Sequence, residues 1–550
     1  MKKTAILLCL VMIFGVLAMP ASAAGSLREP TDVPKVFIST SESLSRDYID
    51  CTVEIIDEKG GTHEAIRDND SKVKIRGNST SSGEKKPFNI KFSGKTDVLG
   101  MGKNKKWCLL ANCYERTLIR NQTVFDFAES IGLDYTPSYR VVDVYHNNRF
   151  LGSYLLTDAV EASETRVDID NEANEFILER DARTDEGTVY FTTNRYGLRL
   201  GINEPEEPTS AQYNWLMDFL SKAETALASN NYNNVKNYFD IDSMIDFYIV
   251  LELFKNVDVD TGSTRFYIKD NKIYGGPCWD FDLSSGNCSS SYYTTYNNVY
   301  GSGNSWEGLW CNTLWFRPLL QYSEFRQSLK DRYLDLQDEI VNLFADNCLG
   351  RNYIDTTIEK YNGTITRNYT QAGWIVGKVY SELERIPDKT YEANVEFYRN
   401  WLSKRNEWLL KQWGIQTLIS VDSSSGIDQD GFFLNGISEK TTVTELLKHF
   451  KSGAKVMGTK GEITGSKYVP AGSAVTLGGA SYTVIVLGDA SGNGTVDAYD
   501  YIKIKRICLK TYEPDFIDRR ISDINQDDSI NAFDYILVKR HVLGTFDIFD

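Results

Sequence analysis

The chain has 550 residues and a formal net charge of −16. This acidity argues against a nucleic-acid-binding protein, because that role usually requires a basic surface. At roughly 150 residues per domain, the length allows three or four domains.

The N-terminus has the pattern of a secretory signal peptide. A basic start, Met1-Lys2-Lys3, is followed by an apolar stretch and then by small residues up to Ala24. The apolar stretch is too short to span a bilayer, and no later run reaches about 18 apolar residues. We therefore predict that residues 1–24 are a signal peptide and that the mature protein is secreted, without a membrane span. Eight cysteines follow, at spacings that indicate no particular disulfide pairing.

Residues 26–415 carry alternating strand and helix patterns with no clear break, as expected for one α+β domain. Apolar alternation predicts strands at 73–76, 88–92, 141–145 and 154–156. The helical period predicts helices at 118–131, 211–228, 241–254 and 391–413. Between 284 and 312 lies a Ser/Tyr/Asn/Gly-rich stretch, with Tyr292, Tyr293 and Tyr296, which predicts a functional loop.

Two shorter segments come next. Residues 416–431 are rich in Ser, Asp and Gly and predict a linker. Residues 432–487 predict a small α/β module, with a helix at 442–450 that Thr442 can cap. Its last strand runs into Gly488, so we expect the module to act as a spacer for the segment that follows.

Residues 488–550 contain two twelve-residue loops that begin at Asp489 and Asp523. Each loop has oxygen-bearing side chains at positions 1, 3, 5, 9 and 12 and a carbonyl at position 7, and Ca²⁺ requires six to eight oxygen ligands. We therefore predict two calcium sites. The predicted ligands are Asp489, Ser491, Asn493, Thr495, Asp497 and Asp500 in the first loop, and Asp523, Asn525, Asp527, Ser529, Asn531 and Asp534 in the second.

Two further loop positions affect the geometry of these sites. Position 6 is Gly494 in the first loop, which permits a sharp turn, and Asp528 in the second. Position 8 is Val496 or Ile530, and these two residues are expected to pair between the loops.

A helix in the same register follows each loop, at an offset of 34 residues. This duplicated loop–helix resembles the type I dockerin of cellulosomal proteins. The resemblance implies an all-α domain that binds a cohesin on a scaffoldin, within a secreted polysaccharide-degrading complex. It also implies that either repeat can face the partner, through Ala498, Tyr499, Lys505 and Arg506 in the first repeat and Ala532, Phe533, Lys539 and Arg540 in the second.

Two clusters in the large domain suggest chemistry. The first is basic, spans 74–80 and 85–92, and includes Arg76. It suits an anionic ligand such as phosphate, although a charged hairpin edge has the same composition. The second contains Asp258, Ser263 and Asp280, in the order and spacing of a kinase catalytic loop and metal loop. Aspartates in loops are also common as turn formers.

Taken together, the segments RGNS, KKPFNIKF, WCLLANCYERTLIRN, NVD and GGPCWDFD resemble the spore coat protein H (CotH) family. The resemblance implies an atypical protein-kinase-like fold that binds ATP and Mg²⁺. By it, Asp258 is the catalytic aspartate and Asp280, with Asp282, binds Mg²⁺, while Ser263 stands where kinases carry Asn. Lys86 or Lys91 would neutralise the ATP phosphates, together with the Arg76 cluster, and Trp279 would lie near the nucleotide.

Three functions remain open from the sequence. The first is a secreted kinase that phosphorylates Ser or Thr of a partner protein. The second is a non-catalytic structural or binding module that contacts protein or carbohydrate and is attached by its dockerin. The third is a glycoside hydrolase, which needs two carboxylates, such as Asp258 with Asp280 or Glu179.

Overall fold

The computed structural model describes residues 27–182, 188–290, 302–346, 351–415, 426–430, 432–450, 452–477, 480–527 and 529–549. The predicted signal peptide, most of the predicted linker, Tyr292, Tyr293, Tyr296 and Asp528 lie outside these ranges. None of the helices in the described part combines the length and hydropathy needed to cross a bilayer. The seven cysteines that the structure describes are all free thiols.

The first half of the large domain is a closed barrel of seven strands, in the order β1-β2-β3-β4-β5-β7-β6. All neighbouring pairs are antiparallel except β1 and β6, which are parallel and close the barrel. The strands are β1 (Lys35–Ser39), β2 (Ile49–Ile56), β3 (Ile66–Ile75), β4 (Phe88–Asp97), β5 (Lys103–Leu110), β6 (Tyr139–His146) and β7 (Arg149–Asp158).

The second half combines a five-stranded antiparallel sheet with helices. The strand order is β12-β11-β8-β10-β9. The strands are β8 (Phe176–Arg180), β9 (Val189–Thr192), β10 (Arg199–Glu204), β11 (Thr264–Lys269) and β12 (Lys272–Gly275). The helices of the large domain are α1 (Arg120–Ser130), α2 (Ser210–Leu227), α3 (Tyr232–Val235), α4 (Ile241–Leu253), α5 (Phe316–Leu319), α6 (Ser323–Asp335), α7 (Gln337–Asn342), α8 (Tyr353–Thr370) and α9 (Tyr391–Trp413).

The small module is a six-stranded sheet of order β13-β14-β18-β17-β15-β16 with one short helix. As predicted, Thr442 caps that helix, and Glu445 completes a capping box. The elements are β13 (Asp428–Asp430), β14 (Phe433–Asn435), α10 (Val443–Leu446), β15 (Lys455–Gly458), β16 (Gly461–Ile463), β17 (Ala474–Leu477) and β18 (Ala480–Val484).

The C-terminal segment contains α11 (Ala498–Cys508), α12 (Phe516–Ser522) and α13 (Ala532–Val542). Helices α11 and α13 are the two predicted repeat helices, and the rings of Tyr501 and Tyr535 meet edge to face between them. Helix α12, in the connection between the repeats, was not predicted. The described residues from 488 onward contain no strand, which agrees with the expected all-α segment.

Helix α4 forms the centre of the large domain, because ten of its thirteen residues are buried. Its last turn carries Glu252, which is fully buried and forms an ion pair with Arg405 of α9, Oε1 to Nη2 2.5 Å. The same carboxylate accepts the backbone N–H groups of Trp310 (2.6 Å) and Cys311 (2.7 Å). Glu252 therefore ties three separate segments of the chain together.

We predict that Glu252→Gln destabilises the large domain by about 3–5 kcal/mol, because it leaves the Arg405 guanidinium buried without its counter-charge. The change would appear as a lower midpoint of thermal unfolding of the full chain. Lys222→Gln is the control, since it breaks an ion pair with Asp218 whose side chains are 60% and 62% exposed. An equal midpoint for both variants would contradict the prediction.

Candidate functional site

A cleft of about 420 Å³ lies between the barrel and the five-stranded sheet. Its walls come from the end of β3 and the following loop, from the end of β8, and from the segments 258–265 and 279–283. Three aspartates that the sequence singles out, Asp258, Asp280 and Asp282, line this one cleft, although they stand on two different loops.

The loop that carries Asp258 is held from inside the protein. Asn256 is 2% exposed, and its side-chain oxygen accepts the N–H of Asp258 at 2.9 Å. Its amide nitrogen donates to the carbonyls of Trp279 and Asp280, each at 3.4 Å. Thr261 Oγ1 donates to Asp258 Oδ1 at 3.1 Å. A buried amide thus links the two aspartate loops, and a hydroxyl orients the carboxylate of Asp258.

Ser263 and Asp280 meet directly in the cleft, with Ser263 Oγ donating to Asp280 Oδ2 at 3.1 Å. Both residues adopt left-handed backbone conformations, with φ of +59° and +64°. For residues other than glycine this conformation costs of order 1 kcal/mol, and such strain clusters at functional sites. The contact supports the expectation that these two side chains act at one point.

Asp282 lies deeper, at 8% exposure. Burial raises its pKa well above the ordinary value, and the nearby charges of Asp280, Asp258 and Glu115 add to the rise. A divalent cation would relieve this repulsion. The described residues contain no group of three or more His, Cys, Asp or Glu side chains able to hold a metal by themselves. Mg²⁺ is nevertheless commonly bound by one or two carboxylates together with substrate phosphates, so these aspartates fit a substrate-assisted site.

Positive charge also lines the cleft. The guanidinium groups of Arg76 and Arg265 lie 5.3 Å and 5.4 Å from the ring centre of Trp279. Arg265 is 8% exposed, and its Nη2 donates to Glu179 at 2.7 Å. Within the described residues, Arg265 Nε and Nη1 and Arg76 Nε are buried without a hydrogen-bond partner. Buried guanidinium donors of this kind fit phosphate oxygens.

The structure does not bring the two predicted lysines into this cleft. Lys86 Nζ donates to the carbonyl of Ser81 at 2.8 Å. Lys91 is exposed on β4, between Lys72 and Lys106 on the neighbouring strands. Neither is among the residues that line the cleft, whereas Arg76 and Arg265 are. Arg265 belongs to none of the motifs selected from the sequence, but it directly precedes the apolar run Phe266–Ile268, and this position was a usable signal.

Trp279 lies in the lining of the cleft. It is 5% exposed, stacks against Phe125 and lies beside the two arginines. Its ring therefore contacts both guanidinium groups of the cleft.

The two C-terminal loops fold around their centres with the same hydrogen bonds. In each loop, the carboxylate at position 1 accepts a hydrogen bond from the backbone N–H of position 5. The side-chain oxygen at position 5 accepts a hydrogen bond from the backbone N–H of position 7. The carboxylate at position 12 accepts hydrogen bonds from the backbone N–H groups of positions 3 and 9. The side-chain oxygen at position 9 accepts a hydrogen bond from the backbone N–H of position 11 and so caps the helix. These five bonds measure 2.6–2.9 Å in the first loop and 2.8–3.4 Å in the second.

The carboxylates at the loop centres are out of contact with solvent. Asp489, Asp500 and Asp534 are all 0% exposed. Burial raises the pKa of Asp489 to about 6, and the neighbouring charge of Asp500 contributes to the rise. Buried carboxylates that converge with amide and carbonyl oxygens form a donor set suited to a hard cation, so the residues present fit Ca²⁺. The two sites would be held by the ligands predicted above.

The predicted partner-binding residues lie on the outside of the repeat helices. Tyr499 is 74% exposed and Phe533 is 55% exposed. Ile502 and Ile536, three residues further on, are also exposed, at 51% and 42%. Ala498, Lys505 and Arg506 on α11, and Ala532, Lys539 and Arg540 on α13, are exposed as well. Two matched stripes, each apolar and then basic, therefore face solvent.

Comparison with known proteins gives two matches. A family model described as "CotH kinase protein" matches residues 73–409. A second, described as "Dockerin type I domain", matches residues 487–543. No curated protein matches the chain.

We predict that the cleft binds inorganic tripolyphosphate in the absence of divalent cations, and that Arg265→Gln weakens this binding by roughly tenfold to a hundredfold. Hydrogen bonds to a charged group contribute about 1.5–3 kcal/mol, which corresponds to that range of affinity. Isothermal titration calorimetry measures the effect. Arg317→Gln removes an exposed arginine outside the cleft and should leave the affinity unchanged. Wild-type affinity in Arg265→Gln would refute the assignment of the phosphate contact.

Proposed function

The chain belongs to the CotH kinase protein family and ends in a type I dockerin domain, and we propose that it is a secreted, cellulosome-associated protein kinase. In this proposal the dockerin binds a scaffoldin cohesin in a calcium-dependent way. The cleft of the large domain binds ATP with Mg²⁺ and phosphorylates Ser or Thr of a partner protein. The two activities reside in separate parts of the chain and are tested separately.

The observation that carries the kinase proposal is the division of charge within one cleft. Its acidic lining residues include Asp258, Asp280 and Asp282, and its basic lining residues include Arg76 and Arg265. A triphosphate with its metal ion matches both sets, because its phosphate oxygens suit the guanidinium groups while the cation suits the carboxylates. A neutral sugar matches neither set, which favours phosphoryl transfer over glycoside hydrolysis.

Each cleft residue has a distinct role in this proposal. Asp258 accepts the proton of the acceptor hydroxyl, with its carboxylate oriented by Thr261. Asp280 and Asp282 hold Mg²⁺, and Ser263 orients Asp280. Arg76 and Arg265 bind phosphate oxygens. ATP, when bound, supplies the transferable phosphoryl group.

We predict that Asp258→Asn lowers the rate of phosphoryl transfer by roughly 100- to 10,000-fold, the usual contribution of a positioned general base. Asp280→Asn should also abolish transfer, because it removes a metal ligand. The measurement is transfer of label from γ-labelled ATP with Mg²⁺ or Mn²⁺ to the proteins of an isolated cellulosome.

Asp270→Asn is the matched control, because Asp270 lies in the β11–β12 turn, outside the residues that line the cleft. Its left-handed backbone, φ +50°, is tolerated by asparagine. Equal transfer by wild type and Asp258→Asn would contradict the kinase assignment. ATP binding without any transfer would instead support the non-catalytic binding module.

The docking proposal is supported by the duplication of the exposed stripes. Tyr499 and Ile502 on α11 correspond in position and exposure to Phe533 and Ile536 on α13. Exposed aromatic residues beside basic ones are typical of interface hot spots. Because the stripes are equivalent, a cohesin has two surfaces of the same chemistry available to it.

We predict that Tyr499→Ala or Phe533→Ala alone weakens cohesin binding only about twofold, since one of two equivalent orientations is lost. The double variant Tyr499→Ala/Phe533→Ala should lose roughly 30-fold or more, as expected when a hot-spot aromatic is removed from both surfaces. Surface plasmon resonance against a panel of type I cohesins, with excess calcium, measures this. Ile375→Ala, at a side chain 58% exposed on the large domain, is the control. A 30-fold loss from one single variant would mean that only one stripe is used.

A further inference from the structure

The small module and the calcium-binding repeats share one hydrophobic core. Their buried apolar residues form one hydrophobic cluster, which includes Leu434 and Val484 of the module together with Ile504 and Val538 of the repeats. A continuous core of this kind makes the two segments depend on each other for burial. No family match covers residues 426–486.

The module also forms hydrogen bonds with the first calcium loop. Ala471 N donates to Asp489 Oδ2 at 2.9 Å, so a module residue bonds to the position-1 carboxylate. Glu439 Oε2 accepts the N–H of Val496 at 2.7 Å. Lys440 N donates to the carbonyl of Gly494 at 2.8 Å. The first calcium loop is thus bonded to the module at its position-1 carboxylate and at the backbone of positions 6 and 8.

The packing at Gly494 shows how closely the first loop approaches the module. A Cβ atom at this glycine would lie 2.7 Å from Tyr468 Cβ and 3.0 Å from the carbonyl oxygen of Val469. The backbone of the loop therefore approaches the module more closely than any residue with a side chain could. The second loop carries Asp528 at the same position and could not dock in this way.

Burial follows the same asymmetry. Gly494 and Val496 of the first loop are buried. Positions 3 and 5 are exposed in both loops. At position 7, Thr495 is half-buried and Ser529 is exposed, and at position 8, Val496 is buried and Ile530 is half-buried. Two loops with matched internal hydrogen bonds therefore have different surroundings.

We propose that the module at residues 426–486 completes the first calcium site, with Glu439 and Ala471 as positioning groups that orient its loop, so that the two calcium sites of the chain differ in affinity. This inference rests on the proposed calcium-dependent docking function. The module holds the backbone of the first loop in its bound shape, and less ordering accompanies cation binding there. The first site consequently binds Ca²⁺ more tightly than the second. The module therefore acts as part of the docking domain, in addition to the spacer role that we expected for it.

The test isolates each site in the full chain. Asp523→Asn removes the position-1 ligand of the second loop and leaves the first site, while Asp489→Asn leaves the second. Adding Glu439→Ala to the first background should weaken calcium binding about tenfold, because partners that orient metal ligands typically contribute 10–100-fold to metal affinity. Adding Glu439→Ala to the Asp489→Asn variant should leave the calcium affinity of the second site unchanged. Calorimetric titration with CaCl₂ gives both affinities.

Two further variants separate positioning from general stability. Glu439→Gln retains a carbonyl oxygen that can accept the Val496 N–H, so it should restore most of the affinity of the first site. Glu462→Ala removes a carboxylate of β16 that forms an exposed ion pair with Lys455, and it should affect neither site.

Two results would overturn the inference. They are an unchanged first site in Glu439→Ala, or an equal loss of affinity at both sites. A wild-type protein that binds no calcium would defeat the docking proposal itself, which distinguishes the two failures.

Discussion

The buried carboxylate of Glu252 is the constraint on which the large domain depends. It lies at the end of the most buried helix and neutralises Arg405, whose other donors bond to the carbonyls of Glu252, Trp306 and Gly308. Lys255, three residues later, is also buried and donates to three carbonyls between 302 and 307. Asn256 then binds both aspartate loops. The end of α4 and the residues directly after it therefore hold the Asp258 loop in place through buried hydrogen bonds and an ion pair.

This arrangement places strain and like charge where a ligand can offset them. The left-handed conformations of Ser263 and Asp280, the crowding of Asp258, Asp280 and Asp282, and the unfilled donors of Arg265 all lie around one cleft. Each feature is unfavourable by itself in a folded protein. Their concentration at one place distinguishes a binding site from ordinary turns.

In the C-terminal part, two similar loop–helix repeats have different neighbours. The internal hydrogen bonds of the two loops correspond one to one, and the exposed stripes of α11 and α13 correspond as well. The small module forms hydrogen bonds with the first loop, beside a glycine that the second loop lacks. Our proposals combine a duplicated docking surface with two cation sites of unequal affinity.

Local patterns in the sequence determined the helices at 211–228, 241–254 and 391–413, the Thr442 cap, the two repeat helices and the residues of the exposed stripes, because periodicity and capping act within a few residues. They also selected Asp258, Ser263, Asp280 and Asp282. Only the tertiary structure decided that the first seven strands close into a barrel and that Arg265 lies in the cleft while Lys86 and Lys91 do not. Barrel closure joins β1 to β6 across about a hundred residues, and such pairing depends on global packing rather than local pattern. The contact between residues 426–486 and the first loop could not be predicted from the sequence for the same reason. A glycine indicates that a close approach is possible, but it does not indicate which segment approaches.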